Sequence, residues 1–373
     1  MKDNLLLTVP NMQDDDKQGV LRIIDFGIGS LRDTEDPFAG LSDPRHFLPE
    51  SFSDWRHKVS DNPHARATDL ALILALDGRK VVGRLGLFPG LLALAGHSPG
   101  RVLWMDGFFL DPSYLASGAG GMILLRALRA RTPLIANGGP AEGTRKLYRS
   151  TGFMELGPYH RRLLPLNPVP LLAWKLPLLA QALGSLIRPL WLMGLWGWRH
   201  APGRDRSGLV IRPAARFGTE VAPLFEGLPG HCFPRDGATL NWVLDCWPTM
   251  AYHLLRGGKS CGYLLLRVVN VPAGGPHGLP ALRVGRILEC FLPHASAGEL
   301  ADLLRFACDV FRDHAVDVME CQAHGDLDAV CRRLGMPALG GNRVFFHPGR
   351  GARPDLERPW HLTHGIGDVL LNG

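Results

Sequence analysis

No cysteine precedes residue 232 in this chain of 373 residues, and the seven that follow contain no CxxC pair and leave an odd count. A disulfide framework is therefore not expected. Cys290, His294, Cys321 and His324 lack the spacing of a zinc ribbon or finger, so buried free thiols and no metal are predicted. Lysine and arginine nowhere interleave with aromatics in a run, which argues against a nucleic-acid platform. Uncharged apolar runs reach only about a dozen residues, short of the roughly 20 needed to span a bilayer. The opening MKDNLLLTVPNMQDDD has neither the basic flank nor the long apolar centre of a signal peptide. A reducing cytoplasm is the expected location.

What the chain does have is enough length for two ordinary domains, a hydrophobic content of 46% and a formal net charge of +6. That content supports substantial cores. The positive balance favours anionic partners such as CoA-type phosphates or acidic lipid surfaces.

The most informative stretch is DPSYLASGAGGMILLRAL at residues 111–128. RVLWMDGFFL before it has the aromatic and branched content of a strand, and MILLRALRA after it has helical spacing. The order strand, glycine-rich turn, helix aims backbone N–H groups and a helix's positive end at one point, which suits a phosphate. A P-loop would need Lys followed by Ser or Thr after the turn, and a dinucleotide fingerprint would need Gly where Ile123 stands. The bland alternative is a surface turn with no ligand.

An internal repeat organises the rest. DLALILAL, DGRK and VVGRLGLF in the first half match AYHLL, RGGK and SCGYLLLRV in the second, which places Gly83 opposite Gly262. Trp55 and Asn62-Pro63 are echoed by Trp242 and Trp247-Pro248. LYRSTGF is echoed by VCRRLGM, with Tyr148 opposite Cys331 and Gly152 opposite Gly335. Two copies of one α/β fold are implied. Between strand and helix the second copy has RILECFLPHASAGEL, with Gly298 alone in its turn, so the phosphate cradle is expected only in the first.

The copies are joined by LLPLNPVPLLAWKLPLLAQALGSLIRPLWLMGLWGWRH at 163–200, whose only charges before Arg199 are Lys175 and Arg188. Trp174, Trp191, Trp196 and Trp198 together with five prolines suit a segment lying in a membrane interface. A linker buried between the domains is the alternative. The organisation expected is thus residues 1–162, a connection at 163–200 and a second domain at 201–373.

Across about 68–163 the chain resembles the GNAT superfamily of N-acyltransferases. The family's turn after its fourth strand reads Gln or Arg, two residues, Gly, one residue, then Gly or Ala; Leu115, Gly118 and Gly120 fall on it, with Leu115 departing from the polar first position. LIANGGPAEGTRKLYRSTGF is similar to the family's fifth strand, Asn, helix and Tyr-x-x-x-Gly-Phe ending. The resemblance implies an α/β fold with a mixed sheet, in two tandem GNAT-like domains of which the second is degenerate.

It also implies an acyl-CoA, or an acyl carrier protein's thioester, as cosubstrate, and no permanently bound cofactor. Backbone groups of Ser117, Gly118, Ala119, Gly120, Gly121 and Met122 would meet the pyrophosphate, and Phe109 and Leu110 would edge the pantetheine channel. Asn137 and Arg145 would touch the cofactor. Tyr148 is the expected acid for the departing thiolate, and Asp106 the base, because strict alternation puts Asp106 on one strand face with Trp104, Phe108 and Leu110. Packing remains the competing role for Tyr148, turn formation for Asn137 and a structural carboxylate for Asp106.

With the greasy connection, the resemblance points to acyl transfer onto the primary amine of a membrane-associated amphiphile such as a sphingoid base, at an anionic membrane surface on the inner face of the cell membrane. A soluble acetyltransferase acting on an amino sugar or other small amine, and a non-catalytic acyl-CoA-binding module, are the alternatives. No nucleic-acid partner is expected.

Overall fold

The structure is a computed structural model. It describes residues 21–33, 38–43, 48, 56, 59–95, 97–138, 142–176, 186–187, 189–191, 193–194, 208–228, 230–274, 280–351, 354–356, 358 and 360. Trp55, Trp196, Trp198 and Gly139 lie outside the described residues.

The first half runs β1 (Leu21–Gly27), α1 (Ile28–Asp33), β2 (Leu70–Asp77), β3 (Lys80–Leu92), β4 (Gly100–Leu110), α2 (Ala119–Leu128), β5 (Leu134–Gly138), α3 (Glu142–Ser150) and β6 (Met154–Pro165). A short helix α4 (Val169–Lys175) begins the connection. The second half follows with β7 (Leu209–Pro213), α5 (Gly237–Cys246), β8 (Met250–Arg256), β9 (Lys259–Val271), β10 (Leu282–Phe291), α6 (Ala297–Asp313), β11 (Val318–Ala323), α7 (Gly325–Arg333) and β12 (Ala338–His347). The helix expected from about residue 122 starts three residues earlier, because Gly118 at φ +81 turns the chain directly into it.

All twelve strands form one mixed sheet in the order β1-β2-β3-β4-β5-β12-β6-β11-β10-β9-β8-β7. The last strand of each half completes the other: β12 pairs with β5, and β6 pairs with β11. Where they meet, β6 and β12 pair with each other. The sequence repeat is visible in matching details. Gly152 and Gly335, at φ +89 and +74, end α3 and α7, and the next amides, of Phe153 and Met336, bond back to Tyr148 O and Cys331 O at 3.0 Å each. Gly83 and Gly262 both sit where a Cβ would strike the end of the neighbouring strand: Leu110 Cδ1 at 2.9 Å for Gly83, and backbone or side-chain atoms of Phe291 and Leu292 for Gly262.

The exchange is locked by charge as well as by backbone pairing. From β6, Arg162 donates to both carboxylate oxygens of Asp328 on α7 at 2.8 and 3.1 Å, and to Met336 O at 3.1 Å. Both side chains are buried. Arg162→Ala would leave Asp328 buried with Arg332, at 3.5 Å, as its remaining ion-pair partner among the described residues. A loss of about 3–5 kcal/mol in stability is expected, measured by urea unfolding. A loss below about 1 kcal/mol, the ordinary worth of an exposed pair, would show that the exchange does not depend on this contact.

Candidate active site

Three features converge at the end of β4. The first is a gap in the sheet. Strands β4 and β5 pair in parallel only at Leu103↔Leu134, Trp104↔Ile135 and Met105↔Ala136, yet β4 continues to Leu110. Among the described residues the β4–β5 ladder ends at Met105, and the two strands part beyond it, which suits an extended chain lying along β4.

The second is a bulge. Between Asp106 and Phe109 strand β4 advances three residues while β3 advances two, from Gly86 to Arg84. Gly107 supplies the positive φ of +55 that this geometry requires. The extra residue overturns the expected alternation: Trp104 packs in the cluster with Phe88, Phe233 and Trp360, whereas Phe108 and Leu110 pack with Met105 on the α2 face. Asp106 is therefore out of phase with Phe108 and Leu110, although it keeps the phase of Trp104. It is buried at 5% exposure, while Phe109 is 46% exposed under the Arg84 guanidinium, 5.5 Å from its ring centroid.

The third is the glycine turn. Asp111 starts it, accepting from the amide and hydroxyl of Ser113 at 3.0 and 2.6 Å, with Lys80 at 3.5 Å. Tyr114 donates its hydroxyl to Asp77 at 2.5 Å. That hydrogen bond, with a smaller contribution from burial, pushes the phenol up to about 12, so it remains a donor throughout the neutral range. These contacts fix the turn's entry, and the Asp-Pro-Ser sequence at 111–113 was a readable signal for them.

Within the turn the amides divide into used and free. Ser117 N bonds to Tyr114 O, Met122 N to Gly118 O, and Ala119 N donates to the Ser117 hydroxyl oxygen at 3.2 Å. The amides of Gly118, Gly120 and Gly121 have no partner among the described residues. Three donors at the start of a ten-residue helix make an anion site. A Cβ at Gly118 or Gly121 would meet nothing within 4 Å, but one at Gly120 would lie 3.5 Å from Leu110 Cδ2. Gly120 thus faces inward. Leu115, 70% exposed, places an apolar side chain on the rim.

The remaining predicted residues surround this point unequally. Asn137 lies at the end of β5, level with Val344 of β12. Arg145, on α3, is 3.7 Å from Glu142. Tyr148 is 1% exposed, and its ring packs against Phe108, Phe153 and Phe345 with centroids 6.3, 5.0 and 5.3 Å away. Tyr148 and Asp106 lie on opposite faces of β4, with the strand gap beside both. Sequence reasoning missed the covering of the Asp106 face by the second half. Phe233 stands 4.3 Å from Trp104, and a buried Arg235–Glu289 pair at 3.2 Å follows in the chain.

The second copy is closed at the corresponding helix end. Ser296 Oγ accepts from Glu299 N at 3.1 Å, and Ser296 N donates to the Glu299 carboxylate at 2.7 Å. Burial would raise Glu299, but the Ser296 amide and the Arg256 guanidinium more than offset it and hold the group below the usual carboxylate range. An internal anion thus occupies the position that stays open at Gly118–Gly121.

No protein-family model matches the chain, and no curated protein does. Solved structures do. Saccharomyces cerevisiae N-myristoyltransferase with bound myristoyl-CoA aligns over 97% of this chain and 94% of its own, with a TM-score of 0.57 at 12% identity. A conserved Enterococcus faecalis V583 protein, described as a probable N-acyltransferase, aligns over 88% and 72%, with a TM-score of 0.50 at 12% identity. A GCN5-related N-acetyltransferase from Anabaena variabilis ATCC 29413 aligns over 79% of this chain at 15% identity and a TM-score of 0.48, with 66% of its own length covered. The likeness to the yeast structure, over nearly the whole of both chains, shows a shared mixed α/β fold, built here from two similar halves.

Proposed function

We propose that the chain is an N-acyltransferase that takes an acyl thioester, an acyl-CoA before an acyl carrier protein, and transfers the acyl group to a primary amine. One observation carries this reading: the free amides of Gly118, Gly120 and Gly121 stand beside a strand pair that opens after Met105. A pyrophosphate on the amides would direct the pantetheine arm along β4 past Phe109 and Leu110. The bound ligand in the similar yeast structure supports a CoA thioester as cosubstrate.

In the proposed reaction a neutral amine attacks the thioester carbonyl, the new N–C bond forms, and the C–S bond breaks. The amine's proton passes to Asp106 and the thiolate takes one from Tyr148. Backbone donors on β4 beyond its ladder with β5 stabilise the oxyanion between these events. Asn137 and Arg145 are assigned to the cofactor's side of the gap. Calorimetry with CoA and acyl-CoA tests the reading; a folded protein that binds neither would remove it.

The acceptor we infer is the amine of a membrane-associated amphiphile. No described helix is long and apolar enough to cross a membrane. In the connection, however, Leu186, Leu190 and Met193 are about 60% exposed, and Trp191, bonded through Nε1 to Pro165 O at 2.9 Å, is 38% exposed. Exposure of these side chains favours an interfacial segment over a buried linker, and Lys175, stacked on Trp174, adds a cation for anionic lipid. Leu186, Leu190, Trp191 and Met193 replaced together by Ser or Gln are expected to release the protein from phosphatidylglycerol vesicles in flotation, since a large apolar side chain contributes roughly 1.5–3 kcal/mol when fully buried. A wild-type protein that stays off such vesicles while monodisperse without detergent would transfer the assignment to a small soluble amine.

A further inference from the structure

The opened strand pair of the first half has a counterpart that plays no part in the reaction proposed above. Strand β10 keeps its parallel pairing with β11 only as far as Ile287 and Cys321, then runs on to Phe291. Beside its end lies a cavity of about 450 Å³, within the size range of small-molecule sites. Tracing pair directions from β4 through β5, β12, β6 and β11 shows that β10 runs opposite to β4. The open ends of β4 and β10 therefore point in opposite directions along the sheet.

Its lining selects against a second thioester. The adjacent helix end already holds the Glu299 carboxylate, so a pyrophosphate would meet a like charge. The walls include Phe291, Leu300, Leu327 and Trp360, which suit a hydrocarbon. Cys290 in the wall is a protonated, unreactive thiol, because burial pushes it up to about 12.

The polar part of the lining is His231, His294, His324 and Asp326, and both ring nitrogens of His231 are already engaged, with Ala95 N and Asp355 O. Asp326 is in the first turn of α7 and forms no ion pair among the described residues. The rings of His294 and His324 make no hydrogen bond among those residues, and burial holds His324 below its ordinary value, which keeps the ring neutral and able to accept. His294 is held at φ +57, a conformation costly for a residue with a Cβ and concentrated at ligand sites.

We propose that this cavity is a second ligand site for an aliphatic primary amine, with its hydrocarbon on Phe291, Leu300, Leu327 and Trp360 and its ammonium held by Asp326 with the two imidazoles as acceptors. The assignment stands on the cavity's own lining and does not depend on the acyl-transfer reading. It can be tested by calorimetry with decylamine, decanol and decanoate below their micellar concentrations.

The wild type is expected to bind decylamine at a saturable site that the cavity variants remove, distinct from any acceptor site, and to bind decanoate there at least tenfold more weakly. Asp326→Asn should weaken decylamine at least tenfold while leaving decanol unchanged. Leu327→Trp, at a half-buried position on α7, should fill the cavity and abolish binding of both, with an unchanged melting temperature as the control for folding. If Leu327→Trp fails to fold, Leu300→Phe is the second filling variant. No decylamine binding by the wild type, equal binding of decanoate, or undiminished decylamine binding in Asp326→Asn or a folded cavity-filled variant would each overturn the proposal.

Discussion

Gly121→Asp is expected to yield a folded protein that no longer takes up acyl-CoA. The position tolerates a side chain, since a Cβ there meets nothing within 4 Å, and a carboxylate in the first turn of α2 complements the helix dipole. The same carboxylate would stand among the amides of Gly118, Gly120 and Gly121 and oppose a pyrophosphate. Like charges about 4 Å apart repel by roughly 4 kcal/mol at an effective dielectric constant of about 20, so affinity should fall by about a hundredfold or more. Gly120→Asp is a poorer probe, because its side chain would start in contact with the apolar Leu110 and Phe108 and not among the amides alone. Calorimetry on Gly121→Asp that returned the wild-type affinity would move the cofactor away from this helix.

Tyr148→Phe is expected to lower turnover by about a hundredfold while acyl-CoA affinity holds, because general acid catalysis contributes on the order of a hundredfold to ten-thousandfold. The substitution keeps the ring among Phe108, Phe153 and Phe345 and removes its one dissociable proton. Asp106→Asn should have a loss of similar size, with the shape and burial of the side chain preserved. Steady-state kinetics at saturating thioester separate the outcomes. Wild-type turnover in Tyr148→Phe would assign this fully buried tyrosine to packing, and wild-type turnover in Asp106→Asn would make that carboxylate structural.

The local parts of this site were readable because short-range chemistry determines them. Strand, turn and helix at 100–128 follow from branched residues, Asp-Pro-Ser and small residues in succession, and the paired helix stops at Gly152 and Gly335 follow from the repeat. Strict alternation failed at Asp106 because Gly107 inserts one residue into β4; glycine inside a strand pattern was the available signal. The inward orientation of Gly120 depends on Leu110, which only the folded turn brings close.

The strand exchange was not readable at all. ALGGNRVFFH at 338–347 reads simply as a strand, and nothing in its own pattern names β5, about two hundred residues earlier, as its partner. The cavity at β10 was equally hidden, since His294, His324 and Trp360 come from separate segments that meet only after β10 and β11 diverge.

Hydrogen–deuterium exchange with and without a long-chain acyl-CoA tests the central claim most directly. Three free amides in the turn and a β4–β5 ladder that ends at Met105 predict that the ligand slows exchange in peptides covering 106–122 and leaves those covering 292–299, where Ser296 and Glu299 already cap the helix, unchanged. Bound acyl-CoA that protects 292–299 and leaves 106–122 exchanging at its free rate would contradict the account.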